Sequence, residues 1–215
     1  MDTIDRIGIN GSDALLVIDL QNDFMPGGAL AVPYGNEVVP VANALMRHFA
    51  NVILTEDWHP AGHLSFASSH AGKGVFETIA LPYGDQVLWP DHCIQDSKGA
   101  ELHAGLETWR AQLIVRKGYR PHVDSYSAFT EADGKPTGLT GYLRERGIRR
   151  VFMCGLATDY CVLWSATSAR KERFGVIVVG DACRAIDLNG SLASARSEME
   201  KVGVGMTHSG AILAP

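Results

Sequence analysis

The sequence predicts an α/β protein in which a mostly parallel six-stranded sheet lies between two layers of helices. Two observations predict this fold class. Short apolar runs rich in Val and Ile recur along the 215-residue chain, and helical patterns separate several of them. Continuous apolar runs are typical of strands buried on both faces, and their alternation with helices favours parallel pairing. We therefore expect ligands to bind outside the carboxyl ends of the strands.

The individual elements follow from these patterns in chain order. The predicted strands share a continuous apolar character and span residues 14–19, 51–55, 112–116, 150–154, 175–179 and 202–207. The predicted helices share spaced apolar positions and span residues 38–49, 138–146, 158–173 and 191–201. Turn residues such as Gly35-Asn36 and Asn189-Gly190 precede two of these helices.

One globular domain over residues 1–215 is expected, because no linker-like or low-complexity tract divides the chain and 46% of its residues are hydrophobic. Residues 56–111 do not fit the alternating pattern. This stretch is too long for an ordinary loop and is dense in aromatic residues, which disfavours disorder. We expect an ordered insertion that lies over the strand ends.

The charge balance narrows the range of partners. The chain has 19 basic and 24 acidic residues, for a net charge of −5, and no run of Lys or Arg. Neither nucleic acid nor a membrane surface is therefore an expected partner, and a small-molecule substrate is. Asp2 and Asp5 near the start, and Asp19 in the first apolar run, predict that there is no signal peptide or membrane span. A cytoplasmic protein with four free thiols is expected, and a homo-oligomer is left open.

Polar groups follow four of the predicted strands. Asp19 ends the first strand, Asp57 and Lys117 lie just past the second and third, and the turn at 155–161 follows the fourth. Each alone has a structural explanation, since an aspartate can cap a turn and a lysine can be a solvated surface charge. Because parallel strands end at the same edge of a sheet, their shared placement favours a common site.

Cys161 is the candidate nucleophile of that site. Its predicted position in the first turn of a helix biases the thiol towards thiolate, and the amides of such a turn can hold an oxyanion. Asp19 can accept the thiol proton, while Lys117 holds Asp19 in place and supports the thiolate. The alternative is that Cys161 is a small buried hydrophobic residue.

A second constellation lies within the insertion. Asp57 and His59 are two residues apart, so both can reach one metal ion, and His92 adds an imidazole from a rigid aromatic turn. Imidazole and carboxylate ligands suit Zn, Fe or Mn. His63 is a further imidazole, but a surface or hydrogen-bonded role competes with ligation for it.

These residues resemble the nicotinamidase branch of the isochorismatase-like cysteine hydrolases. The motifs that carry the resemblance occur in the family's order and span most of the chain: VIDLQNDF at 17–24, DWHP at 57–60, WPDHC at 89–93, RKG at 116–118, DSYSAF at 124–129 and GLATDYCV at 155–162. The resemblance implies an isochorismatase-like fold with a Rossmann-like strand order. It also implies hydrolysis of nicotinamide to nicotinic acid and ammonia in NAD salvage, and hydrolysis of pyrazinamide.

The resemblance assigns roles to individual residues. Asp19, Lys117 and Cys161 fall on the family's catalytic triad, and Asp57, His59 and His92 on its metal ligands. One divalent transition metal is implied, with zinc favoured over iron and manganese. The amides of Ala157 and Cys161 fall on the oxyanion hole, the Leu156-Ala157 bond falls where the family has a cis peptide, and Phe24 and Trp89 resemble the aromatic walls around the substrate ring. The implied substrate-binding set is Phe24, Trp89, Leu156 and Ala157.

Three alternatives remain open from the sequence. A related amidase acting on a carbamoyl or ureido compound would keep the triad, although such relatives generally lack the paired metal motifs. An isochorismatase acting on a vinyl ether needs no cysteine nucleophile. A metal-binding or redox-sensing protein would not need Asp19 and Lys117 at the strand ends.

Overall fold

The computed structural model describes residues 6–213. Asp2 and Asp5, which contributed to the prediction that there is no signal peptide, lie outside the described residues. Within residues 6–213 the main sheet has six strands, and all of its pairs are parallel. These strands are β1 (Asp13–Ile18), β2 (Asn51–Asp57), β5 (Leu113–Lys117), β6 (Arg150–Leu156), β7 (Gly175–Arg184) and β8 (Gly205–Thr207).

The strand order is β5-β2-β1-β6-β7-β8, which is the doubly wound Rossmann order and confirms the predicted fold class. The chain moves outwards from β1 in one direction and then from β6 in the other. The switch point therefore lies between β1 and β6, and the loops after these two strands are where a ligand is expected.

The helices cover both faces of this sheet. They are α1 (Val38–Met46), α2 (Leu139–Glu145), α3 (Leu163–Lys171), α4 (Ser191–Lys201) and the short α5 (Gly210–Leu213). Right-handed crossovers on the two sides of the switch point place α1 opposite α3 and α4. α1 buries Val38, Ala42 and Leu45 along one stripe, as expected for an amphipathic helix. None of the helices in residues 6–213 combines the length and apolar content needed to cross a membrane.

Some predicted boundaries differ from the structure. β7 extends to Arg184, five residues beyond the predicted end, and β8 contains only the last part of the predicted strand. The predicted helix over residues 158–173 is divided, because Thr158–Val162 forms a π-helical turn before α3 begins.

The long segment between β2 and β5 is folded against the carboxyl ends of the strands. It contains a two-stranded antiparallel hairpin formed by β3 (Thr78–Leu81) and β4 (Gly84–Val87), which the sequence patterns did not predict. Isolated bridges join His59 to Ile94 and Phe66 to Trp89, and the Trp58 amide donates to the Lys117 carbonyl. The segment is thereby attached both to itself and to the end of β5.

Gly155 allows β6 to pass close to β1. Its φ is +122°, and a Cβ on this residue would lie 2.0 Å from the Ile18 carbonyl oxygen. No side chain can occupy that space. The close approach brings the chain that follows β6 next to the chain that follows β1.

Candidate active site

Four adjacent strands deliver polar groups to one point. Asp19 follows β1, Asp57 ends β2, Lys117 ends β5, and Cys161 lies in the π-helical turn after β6. Asp57 and Lys117 are direct partners in the β2–β5 register. The structure thus brings together the four groups that the sequence placed at strand ends.

The Lys117 side chain is the centre of this cluster and is fully buried. Its Nζ lies 2.7 Å from Asp19 Oδ2 and 3.2 Å from Cys161 Sγ, and it also forms an ion pair with Asp57 Oδ1. Burial alone would lower the Lys117 pKa, but the charges of Asp19 and Asp57 outweigh burial and raise that pKa well above its usual value. Lys117 is therefore an ammonium ion at neutral pH.

Asp19 is held in a defined orientation by Thr55. The Thr55 hydroxyl donates to Asp19 Oδ1 at 2.5 Å and accepts from the Asp19 amide at 3.2 Å. Burial raises the pKa of the Asp19 carboxyl, and the nearby Asp57 adds to this effect, while Lys117 opposes it. Asp19 is thus a better proton acceptor than an exposed aspartate.

Cys161 differs from the sequence-based expectation of a thiol biased towards thiolate. Burial raises the Cys161 pKa well above its usual value, and the carboxylates of Asp19 and Asp57 add to the increase, while Lys117 lowers it only in part. The start of a helix cannot offset this loss of solvent and these two negative charges. Cys161 Sγ and an Asp19 carboxylate oxygen lie within 4.8 Å of each other, so a thiol at rest has a proton acceptor nearby.

Asp57, His59 and His92 form a buried group suited to a metal ion. Asp57 Oδ2 lies 3.8 Å from the Nε2 atoms of both histidines. His59 Nδ1 is 2.9 Å from the Gly118 carbonyl oxygen, and His92 Nδ1 is 2.8 Å from that of Pro90. Because a carbonyl can only accept, each Nδ1 donates a hydrogen bond, and Nε2 is the ring nitrogen that faces Asp57. This is the arrangement that metal-ligating histidines use.

His63 is engaged elsewhere. Its Nδ1 lies 2.8 Å from the Ser65 hydroxyl and its Nε2 lies 2.9 Å from the Arg120 carbonyl oxygen. Burial, together with the neighbouring His59, lowers the His63 pKa to about 4. Its ring packs beside the His59 ring, with 4.4 Å between centroids. His63 therefore supports His59, and both of its ring nitrogens already have partners.

Gly118 makes room for the His59 ring. Its φ is +67°, and a Cβ there would lie 2.4 Å from His59 Cε1. The same residue supplies the carbonyl that orients His59 Nδ1. A glycine directly after Lys117 is thus part of the geometry of the Asp57, His59 and His92 group.

A cavity opens above Cys161 and this group. Phe24, Trp89 and Ala157, three of the predicted substrate-binding residues, line its wall. The fourth, Leu156, is fully buried in the core, where its side chain faces Gly35. The peptide bond between Leu156 and Ala157 is cis, as the family resemblance implied.

The structure adds cavity residues to which sequence reasoning gave no role. They are Leu30, Asp124, Tyr126, Tyr160 and Ile186. The Tyr126 hydroxyl accepts hydrogen bonds from Trp89 Nε1 at 2.9 Å and from Gln86 Nε2 at 3.0 Å, so it fixes the Trp89 ring. The motif at 124–129 was a signal for Asp124 and Tyr126, whereas nothing in the local pattern indicated Ile186.

Comparison with known proteins agrees with this geometry. The isochorismatase domain model matches residues 13–209. A nicotinamidase from Acinetobacter baylyi is 54% identical over 192 residues, which are 89% of this chain and 90% of that protein. A solved nicotinamidase/pyrazinamidase from Acinetobacter baumannii superimposes with a TM-score of 0.92 at 54% identity, covering 93% of this chain and 97% of that one.

Two further solved structures carry ligands. A protein from L. infantum in complex with nicotinate has a TM-score of 0.85 at 38% identity, with 96% of this chain and 98% of that chain covered. A pyrazinamidase from Pyrococcus horikoshii in complex with zinc has a TM-score of 0.75 at 35% identity, with 92% and 99% covered. The family model alone spans most of the chain, and the fold and motifs agree with it. The chain therefore belongs to the isochorismatase family.

Proposed function

We propose that the protein is a nicotinamidase that hydrolyses nicotinamide to nicotinic acid and ammonia in NAD salvage and also accepts pyrazinamide. The observation that carries this proposal is the contact of Lys117 with both Asp19 and Cys161 at the base of a cavity with aromatic walls. The names of the similar proteins and the bound nicotinate in one of them support the choice of substrate.

The reaction begins with attack of Cys161 Sγ on the carboxamide carbon. Because the Cys161 pKa is raised, the thiol proton moves to Asp19 as the S–C bond forms. Lys117 stabilises the negative charge that passes between sulfur and carboxylate. The amides of Ala157 and Cys161 are proposed to hold the oxyanion of the tetrahedral intermediate.

Collapse of this intermediate releases ammonia. Asp19 returns the proton to the departing nitrogen, the C–N bond breaks, and a Cys161 thioester remains. Water then attacks the thioester carbon and gives a proton to Asp19. The C–S bond breaks, the thiolate regains a proton from Asp19, and nicotinic acid leaves.

The walls of the cavity position the ring. Phe24 and Trp89 lie on its wall as flat apolar surfaces, and Ala157 borders the reacting end. Leu156 contributes to the proposed site through the peptide that it shares with Ala157. Tyr126 keeps Trp89 in place.

Asp57, His59 and His92 are proposed to hold one divalent transition metal, with zinc favoured and iron or manganese as alternatives. Zinc is the ion in the similar Pyrococcus horikoshii structure. The metal would supply a Lewis-acid contact for the pyridine nitrogen and so orient the amide. The protein's own contribution is to present a carboxylate and the Nε2 atoms of two histidines whose rings are oriented by backbone carbonyls.

An ammonia-release assay tests this function. We expect turnover of nicotinamide and pyrazinamide, no turnover of carbamoyl or ureido amides, and loss of turnover when a chelator has removed the metal. Turnover of only the carbamoyl or ureido amides would instead assign the protein to the related amidases and overturn the proposal.

A further inference from the structure

The loop over residues 185–190, between β7 and α4, contributes Ile186 to the cavity wall. Its backbone is irregular, since Asp187, Asn189 and Gly190 have φ values of 56°, 53° and 81°. Asp and Asn adopt left-handed conformations more readily than other non-glycine residues, and contacts from outside the loop add to this local preference.

Asp159 supplies such contacts. Its carboxylate is buried, and it accepts from the Ile186 amide at 3.1 Å, from the Asp187 amide at 2.7 Å and from the Ser191 hydroxyl at 2.5 Å. All three donors lie in the loop or at the first residue of α4. One side chain thus fixes both the backbone at Ile186 and the end of the loop.

Asp159 also belongs to the π-helical turn that carries Cys161. It is the second residue of that turn, and Cys161 is the fourth. The contact therefore joins the turn that carries Cys161 to the loop that forms part of the cavity wall. The turn follows β6, whereas the loop follows β7.

We infer that Asp159 is a positioning residue that sets the affinity for the substrate ring by holding Ile186 at a fixed distance from Cys161. This inference rests on the proposed function for its substrate. Asp159 does not line the cavity. It acts on the substrate only through Ile186.

The chemistry of the contact explains why a carboxylate is needed. An ionised carboxylate offers acceptor positions on both oxygens, and its hydrogen bonds are stronger than neutral ones. An asparagine keeps one acceptor oxygen and turns an NH₂ group towards a donor. Ser191→Ala removes only one of the three bonds. The expected order of effect is therefore Ser191→Ala, then Asp159→Asn, then Asp159→Ala.

The test combines kinetics with hydrogen exchange on the metal-loaded enzyme. For Asp159→Ala we expect KM for nicotinamide to rise about tenfold while kcat changes less than about threefold. The substitution should weaken binding of the substrate ring more than it slows the chemical step. The Ile186 and Asp187 amides should exchange faster. Ser191→Ala should shift KM and amide exchange in the same direction as Asp159→Ala, but by a smaller amount. It replaces Asp159→Ala as the test variant if that variant does not fold.

Asp181→Ala is the matched control. Asp181 accepts from the Ser209 amide and hydroxyl in a similar contact that does not reach the cavity, so its loss should leave KM unchanged. The inference is overturned if KM stays constant in Asp159→Ala, if kcat alone falls, or if the two amides keep their protection. If the wild-type enzyme released no ammonia from nicotinamide, the proposed function would fail, whereas the exchange measurement would still test the contact.

Discussion

The Lys117 ammonium lies 2.7 Å from the Asp19 carboxylate, and neither side chain is exposed to solvent. Buried charges are tolerated only when they are paired, and the loss of one partner leaves the other without compensation. Lys117 has this relationship with Asp57 as well. The single positive charge of Lys117 therefore compensates the buried carboxylates of both Asp19, the proposed base, and Asp57, a proposed metal ligand.

Lys117→Met should destabilise the fold strongly. It removes the charge, keeps most of the side-chain volume and leaves two buried carboxylates unpaired, so we expect a loss of about 3–5 kcal/mol in the free energy of unfolding. Lys73→Met is the matched control, because Lys73 pairs with Glu77 at an exposed site and should cost less than about 1 kcal/mol. Denaturant titration gives both values, and equal losses would contradict the assigned role of Lys117.

Cys161→Ala should abolish ammonia release, by about 10⁴-fold or more, because no other group can form the thioester. Far-UV circular dichroism should show the wild-type fold. Cys154→Ala, in the buried centre of β6, should keep turnover within about tenfold despite some loss of stability. A Cys161→Ala enzyme with the wild-type rate would exclude the nucleophile assignment.

The pH dependence should follow Asp19. Its carboxyl must be ionised to accept the thiol proton, and burial raises its pKa above 3.8, so kcat/KM should fall as the pH decreases through that raised value. Because the Cys161 pKa is also raised, no thiolate-dependent rise is expected between about pH 7 and 9. Asp19→Asn should lower the rate by about 10²–10⁴-fold and remove the acidic limb. A rate that increases with pH up to 9 would instead indicate a resting thiol that ionises first.

Gly118→Ala should lower metal content, since the new methyl group meets the His59 ring at 2.4 Å. Gly134→Ala is the control, because Gly134 also has a positive φ, +83°, yet a Cβ there meets nothing within 4 Å. Metal analysis of both purified variants separates crowding of His59 from backbone strain. Equal metal content in the two variants would show that His59 does not depend on this space.

Chelation should remove the activity of the wild-type enzyme, and added zinc, iron or manganese should restore that activity. His92→Ala should not recover, because one of the two Nε2 ligands is missing. His103→Ala, outside the cavity, should behave as the wild type. Stoichiometric metal in His92→Ala would contradict the ligand set.

The sequence predicted most of the sheet because strands buried on both faces leave continuous apolar runs, such as the one in β1. It did not predict the β3–β4 hairpin. Each strand of the hairpin has only four residues, and β3 alternates between the exposed Thr78 and Ala80 and half-buried positions, so the hairpin lacks the continuous apolar runs that mark the main sheet. The π-helical turn at Cys161 was missed as well, since a single turn has no periodicity to detect.

The sequence predicted those residues of the candidate site that lie at the carboxyl ends of the strands. Asp19, Asp57 and Lys117 were found by their positions along the chain. The protonation state of Cys161 depends on burial and on two carboxylates from other strands, which local sequence does not contain. For the same reason, the contact between Asp159 and the Ile186 loop required three-dimensional structure.

Lys117 and the three groups that it contacts lie at the ends of four neighbouring strands, in the order β5-β2-β1-β6. No local part of the chain contains the site, and a shift of one register position in any of these strands would separate its members. Helical signal can return early during refolding because it depends on local contacts, whereas these pairings are non-local and slow. Recovered amide hydrolysis therefore reports the pairing of these four strands, so an activity assay can follow the slow part of folding that a helical signal does not detect.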